Sequence, residues 1–132
     1  MYNNNAGKVG IGLTDMSTDD AIFQVNGSIL AERVKVRPEI PIPDYVFEDT
    51  YPLRSLKELE TYINTHKHLP EVPSAAEVEA NGLYLDALSL KLLQKVEELT
   101  LYLIEQQKLL EEVNKQNQDL EQKVSQLEKQ KN

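Results

Sequence analysis

Few residues of this 132-residue chain are of types and spacings suited to chemistry. His66 and His68, with Glu71 and Glu77 downstream, are of the types that ligate a divalent metal. Two histidines two residues apart at a helix end do not share a face, so no metal site is expected. The 22 carboxylates include no pair whose spacing implies an acid/base couple, and runs such as Glu48-Asp49 read as solvated surface rather than a glycosidase. Gly7, Gly10 and Gly12 could form a phosphate loop. The residues that follow, Thr14-Asp15-Met16-Ser17, are acidic and do not open a helix, which argues against it. No catalytic residue, metal or cofactor is expected.

Composition narrows the function classes further. The net charge of −8 and the lack of a basic patch to neutralise phosphate argue against nucleic acid. Lys and Arg are scattered, so binding to an anionic membrane surface is not expected either. There is no cysteine, hence no disulfide framework or thiol chemistry. No signal peptide or membrane span is visible; the start Met1-Tyr2-Asn3-Asn4-Asn5 looks like that of a fragment, so targeting information would lie elsewhere.

The element that must position everything else is the last third. Val96, Leu103, Leu110, Asn117, Val124 and Lys131 at heptad position a place Leu92, Leu99, Gln106, Val113, Leu120 and Leu127 at d. This alternation of three and four holds for about five heptads, the seam of a left-handed coiled coil. No Gly or Pro follows Gly82, and Leu, Glu, Gln and Lys are good helix formers. The pattern predicts a helix from about Asp86 to the C-terminus, roughly 65 Å long. Leu93, Tyr102 and Leu109 at e and g widen the stripe, which favours a parallel trimer over a dimer. Leu101 and Ile104 make Leu99 to Ile104 apolar nearly all round, so the preceding domain is expected to cover that run. Lys123 and Glu128 would pair between chains, and Glu111–Lys115 and Asp119–Lys123 within one. Gln106 and Asn117 are polar layers, either fixing register or tolerated as defects.

Ahead of the rod, residues 1 to 6 are polar and expected to lack regular structure. Gly7 to Leu13 alternates apolar residues with Gly or Lys, a strand pattern in which glycine marks close backbone approach. Ala21 to Val25 and Ser28 to Ala31 flank Asn26-Gly27, a hairpin signal, and Val34-Lys35-Val36 alternates again. Such a β unit is too small to be stable alone, and pairing between chains would rescue it. Arg37 to Pro43 is a Pro-punctuated extended connector, and Tyr45-Val46-Phe47 reads as a short strand. Ser55 with Glu58 opens a helix presenting Leu56, Leu59, Tyr62 and Ile63 on one face. His66, Lys67 and His68 suit its negative end, and Pro70 and Pro73 stop it. Ser74 with Glu77 opens a second helix that ends at Asn81-Gly82, and Asp86 is the expected N-cap of the rod. The fold class is therefore α+β: a β segment (residues 1–37), a small domain with a Pro-rich connector (38–85) and a coiled-coil helix (86–132).

Several of these motifs carry a resemblance. Gly7-Lys8-Val9-Gly10-Ile11-Gly12 with Phe23, Val25-Asn26-Gly27-Ser28-Ile29 and Ala31 resembles the β segment that closes the shaft of trimeric phage-type tail fibres. The stretches Pro43 to Asp49, Leu53 to Glu60, His68 to Val78 and Glu97 to Leu103 resemble C-terminal domains of tail-fibre-like proteins of Bacteroidota, and more distantly endosialidase-type intramolecular chaperones. The likeness spans roughly residues 7 to 107. It departs at Ile42, where the family often has Trp, at Glu71, where Gly is common, and near Met16, where a Pro is missing.

The resemblance implies a trimerisation and folding module at the end of a fibre, with the upstream shaft and further copies of itself as partners. Its setting would be a virion, a phage-like particle or the extracellular surface, after expression in the cytoplasm. A second reading is a receptor- or glycan-binding tip using Tyr45, Tyr51 and Tyr84. A third is self-cleavage by a Ser–Lys dyad, for which Ser28 and Lys35 are the candidates; the Ser-Asp dipeptide that opens the proteolytic module is absent, and Ser28 reads more simply as turn chemistry.

Overall fold

A computed structural model describes residues 2–3, 7–16, 20–37 and 39–131. The chain divides into two compact units, Met1–Val36 and Arg37–Asn132. It is mixed α+β, with one small sheet and a long C-terminal helix.

The first unit is a three-stranded sheet of β1 (Tyr2–Asn3), β2 (Val9–Ile11) and β3 (Phe23–Val25). β1 runs antiparallel to β2, and β3 parallel to it with Val9 opposite Phe23. The strand expected within residues 7–13 is present, and β1 adds order where none was expected. Met16 is the buried centre of the unit. It lies over Gly10, where an added Cβ would meet its sulfur at 2.6 Å. Gly12, at φ +70°, likewise admits the Asn26 carbonyl.

The Asn26-Gly27 hairpin does not form. A two-residue type I′ turn needs positive φ at both central positions, and Asn26 does not adopt it. Instead Asn26 extends the parallel pairing: its N–H donates to the Ile11 carbonyl (2.9 Å) and its side-chain amide to that of Gly12 (3.3 Å). With β3 committed to β2, Ser28–Ala31 and Val34–Val36 form no strand, and Ile29, Leu30, Val34 and Val36 stay exposed. Pro38 lies outside the described residues.

In the second unit Tyr45-Val46-Phe47 is not a strand but part of a 3-10 turn, Pro43–Phe47. Pro43 at its first position presets the helical φ, and Asp44 sits in its first turn. Pro43 and Val46 are buried. Helix α1 (Leu56–His66) opens with the expected capping box: Ser55 N–H donates to Glu58 (3.0 Å) and Glu58 N–H to the Ser55 hydroxyl (3.3 Å). Leu59 and Tyr62 are half-buried, whereas Leu56 and Ile63 remain exposed. The helix stops before the prolines, at Lys67, whose left-handed conformation lets its N–H reach the Ile63 carbonyl (2.8 Å). Helix α2 (Ala75–Asn81) repeats the box with Ser74 and Glu77 and ends at Gly82, as expected. Helix α3 (Leu85–Lys131) has 47 residues, or about 70 Å. It starts one residue before Asp86, which therefore lies in the first turn rather than at the cap.

The serine bonds hold the carboxyls of Glu58 and Glu77 below the usual 4.5. A lowered folded value means stabilisation that is present above the ordinary carboxylate range and lost as pH falls through the folded value. Ser55→Ala is expected to cost about 1 kcal/mol in thermal unfolding, and to flatten the loss of stability on acidification below pH 4.5.

Candidate functional site: an apolar seam and a polar clamp

Helix α3 advances 100° per residue, so positions b, f, c and g follow one another round one side and d, a and e round the other. The two sides carry different chemistry. On the d–a–e side every apolar seam residue from Leu92 to Leu127 is open, between 49% (Leu92) and 69% (Leu103) exposed in the single chain. Gln106 and Asn117 lie open in the same line. Because the helix begins at Leu85, the spacing adds Leu85 at d and Ser89 at a.

Between Gln94 and Tyr102 the opposite side is closed by the chain's own residues 43–71, and from Leu103 onward it is open as well. Gln94 (f), Lys95 (g), Glu97 (b) and Tyr102 (g) are all buried. Gln94, 2% exposed, is the hub. Its Oε1 accepts from the Tyr45 hydroxyl (3.2 Å) and Lys91 Nζ (3.1 Å), and its Nε2 lies 3.0 Å from Tyr51 Oη, Glu71 Oε2 and Glu98 Oε1. Tyr51 donates to Glu98 at 2.6 Å, Lys95 donates to both oxygens of Glu98, and Lys91 pairs with Glu71 at 2.8 Å. Tyr102 donates to the Arg54 carbonyl at 2.6 Å. These groups border a cleft of about 510 Å³ between the 3-10 turn, the Glu71 turn and α3.

The electrostatics follow from partial burial. The Tyr51 hydroxyl is pushed up to about 12, first by burial and then by the Glu98 carboxylate that accepts its hydrogen bond. Burial, with Glu98 nearby, raises Tyr102. Glu71 is held low by the Lys91 ammonium. Glu97 is pushed up by burial and by Asp44, and its Oε2 is buried without a partner. The Lys95–Glu98 pair is mostly buried, so removing one member would leave a charge uncompensated, at about 3–5 kcal/mol. The more open Lys91–Glu71 pair contributes about 0–1 kcal/mol.

Several expectations change on this geometry. Tyr102 does not widen the seam, because its own domain claims it. The cover expected over Leu99–Ile104 reaches Leu101 and Tyr102 but leaves Leu99, Leu103 and Ile104 open. Glu111–Lys115 and Asp119–Lys123 are not paired; Glu111 accepts instead from Gln107. Exposed pairs of this kind contribute only tenths of a kcal/mol.

Tyr45 and Tyr51 hold the clamp, and only Tyr84 stands fully free, at 82% exposure. His66 and His68 flank Tyr62, with ring centroids 6.1 Å apart, while Glu71 and Glu77 are engaged with Lys91 and Ser74. Among the described residues no group of three could hold a metal. Ser28 and Lys35 are exposed, and no hydrogen bond joins them. Among the described residues no helix is long and apolar enough to cross a membrane.

Sequence reasoning missed the clamp, since Gln94, Lys95 and Glu98 look like an ordinary solvated face. The one available signal was Leu101 and Tyr102 outside the seam. Tyr51→Phe is expected to cost about 1–3 kcal/mol, because Gln94 and Glu98 each lose a partner. A raised folded value means stabilisation that is complete below pH 10 and lost as pH rises through about 12. Tyrosinate absorbance should therefore show a late-titrating group that Tyr51→Phe removes. Comparison of the chain with protein-family models, curated proteins and solved structures finds no match.

Proposed function

We propose that the chain is a non-enzymatic self-assembly and folding module, a parallel homotrimer that closes a fibre-type structural protein. The observation that carries this is the continuous open seam of α3, from Leu92 to Leu127, while the chain's own domain occupies the opposite side only as far as Tyr102. A rod of about 70 Å cannot bury that stripe by itself. Further copies of the same chain, in register, bury it completely. Leu93 and Leu109, both outside the narrow seam and both exposed, favour three strands over two.

The mechanism is entropic. The helices associate through local contacts, which brings the small β units together and reduces the cost of pairing them. Gln106 and Asn117 set the register, and Lys123 pairs with Glu128 of the next chain. In this reading the module sits at the end of the shaft of a tail-fibre-like particle or surface fibre. The receptor-tip alternative is weakened by the engagement of Tyr45 and Tyr51 in the clamp.

Replacing Leu103 by Asp would gather unpaired carboxylates at the axis. The expected result is a monomer by size-exclusion chromatography with light scattering, with residues 8–36 open to protease. Truncation after Asn117 should still assemble, with a lower Tm. An assembled Leu103→Asp variant would overturn the proposal.

A further inference from the structure

The clamp closes the helix asymmetrically, and the asymmetry says which surface the next chain meets. On the g flank Leu88 is half-buried, and Lys95 and Tyr102 are buried against the chain's own domain. On the e flank Leu93 is 40% exposed and Thr100 is open. In a parallel coiled coil a g residue faces the e residue five positions later in the neighbour. That sets Leu88 against the neighbour's Leu93, and Lys95 against its Thr100.

Beside Leu88 lies a second cavity of about 390 Å³, between α2 and the start of α3, with Pro73, Leu83, Tyr84 and Ala87 on its walls. Leu83 and Tyr84 are exposed in the single chain. An apolar concavity on the closed flank and an apolar knob on the open flank are thus carried at matching heights.

We infer that each small domain is an inter-subunit contact: its α2–α3 cavity and Leu88 receive Leu93 of the next copy. The inference rests on the self-assembly reading. It adds that the domain faces the neighbouring helix as well as its own, and that each chain offers the cavity on one side and Leu93 on the other. Such a contact is heterologous and closes into a ring, which suits an assembly about a rotation axis. It also fixes parallel orientation independently of the seam, because antiparallel chains would bring like flanks together.

Leu93 and Ile104 make a matched pair for the test. They are similarly exposed in the single chain, at 40% and 47%, but Ile104 occupies position b, which faces no neighbour. Sedimentation equilibrium first establishes the assembly of wild type, Leu93→Asp and Ile104→Asp. Leu93→Asp is expected to lower the Tm of the assembly by at least about 4 °C, and Ile104→Asp to leave it within a degree or so.

The geometry is read separately. The chain has no cysteine, so Leu88→Cys chains can be refolded together with Leu93→Cys chains and treated with a short bismaleimide. A mixed 88–93 product is expected, with none from Leu93→Cys alone. Equal Tm losses for the two Asp variants, or a product from Leu93→Cys alone and none from the mixture, in a chain that still assembles, would overturn this contact while leaving self-assembly standing. A monomeric wild type would overturn the assembly reading, and this contact with it.

Discussion

The structure depends on one constraint: a single helix carries two opposite faces, and residues 43–71 pack on only one of them. Residues 43–71 close the b–f–c–g side between Gln94 and Tyr102. The d–a–e side keeps its Leu and Val residues in water along nearly the whole length of α3. Burying such a side chain fully is worth about 1.5–3 kcal/mol, so a row of half-exposed ones is a large unsatisfied term for one chain. Neither the 3-10 turn, α1 nor α2 covers the distal half of the rod, where every residue from Leu103 to Lys131 is exposed.

The polarity of the clamp follows from the same constraint. Had the domain docked through an apolar face of α3, it would have competed with the seam for the same ridge. A network centred on Gln94 avoids that competition, because Tyr45, Tyr51, Glu71 and Glu98 are satisfied in one rotation of the domain about the helix. Hydrogen-bonded networks of this kind tolerate little slippage, since a displaced member leaves buried polar atoms unpaired. The clamp therefore orients the domain more than it stabilises it, and it leaves the e flank open and the g flank closed. Glu97, with one buried oxygen unpaired, is the least favourable group in this arrangement.

Local signals in the sequence were reliable where the chemistry is local. Both Ser–Glu capping boxes, the Gly82 stop, the long helix and the strand at Val9–Ile11 form as their residues dictate. Failures came where a tertiary partner outbid local propensity. Asn26-Gly27 carries the hairpin signature, yet the Ile11 and Gly12 carbonyls claim Asn26 and carry β3 into parallel pairing. Tyr45-Val46-Phe47 has strand residues, yet Pro43 starts a 3-10 turn that buries Val46. The clamp was invisible because Gln94 and Glu98, read along a helix, have the composition of a solvated surface; only partners some 20 to 50 residues away reveal their role.

The central claim is that the open seam is an interface between copies of this chain. Sedimentation equilibrium of the whole chain over a wide concentration range tests it most directly. The account expects a single species of three 15.1-kDa chains, dissociating only at low concentration. A monomer that persists at the highest concentration would contradict it.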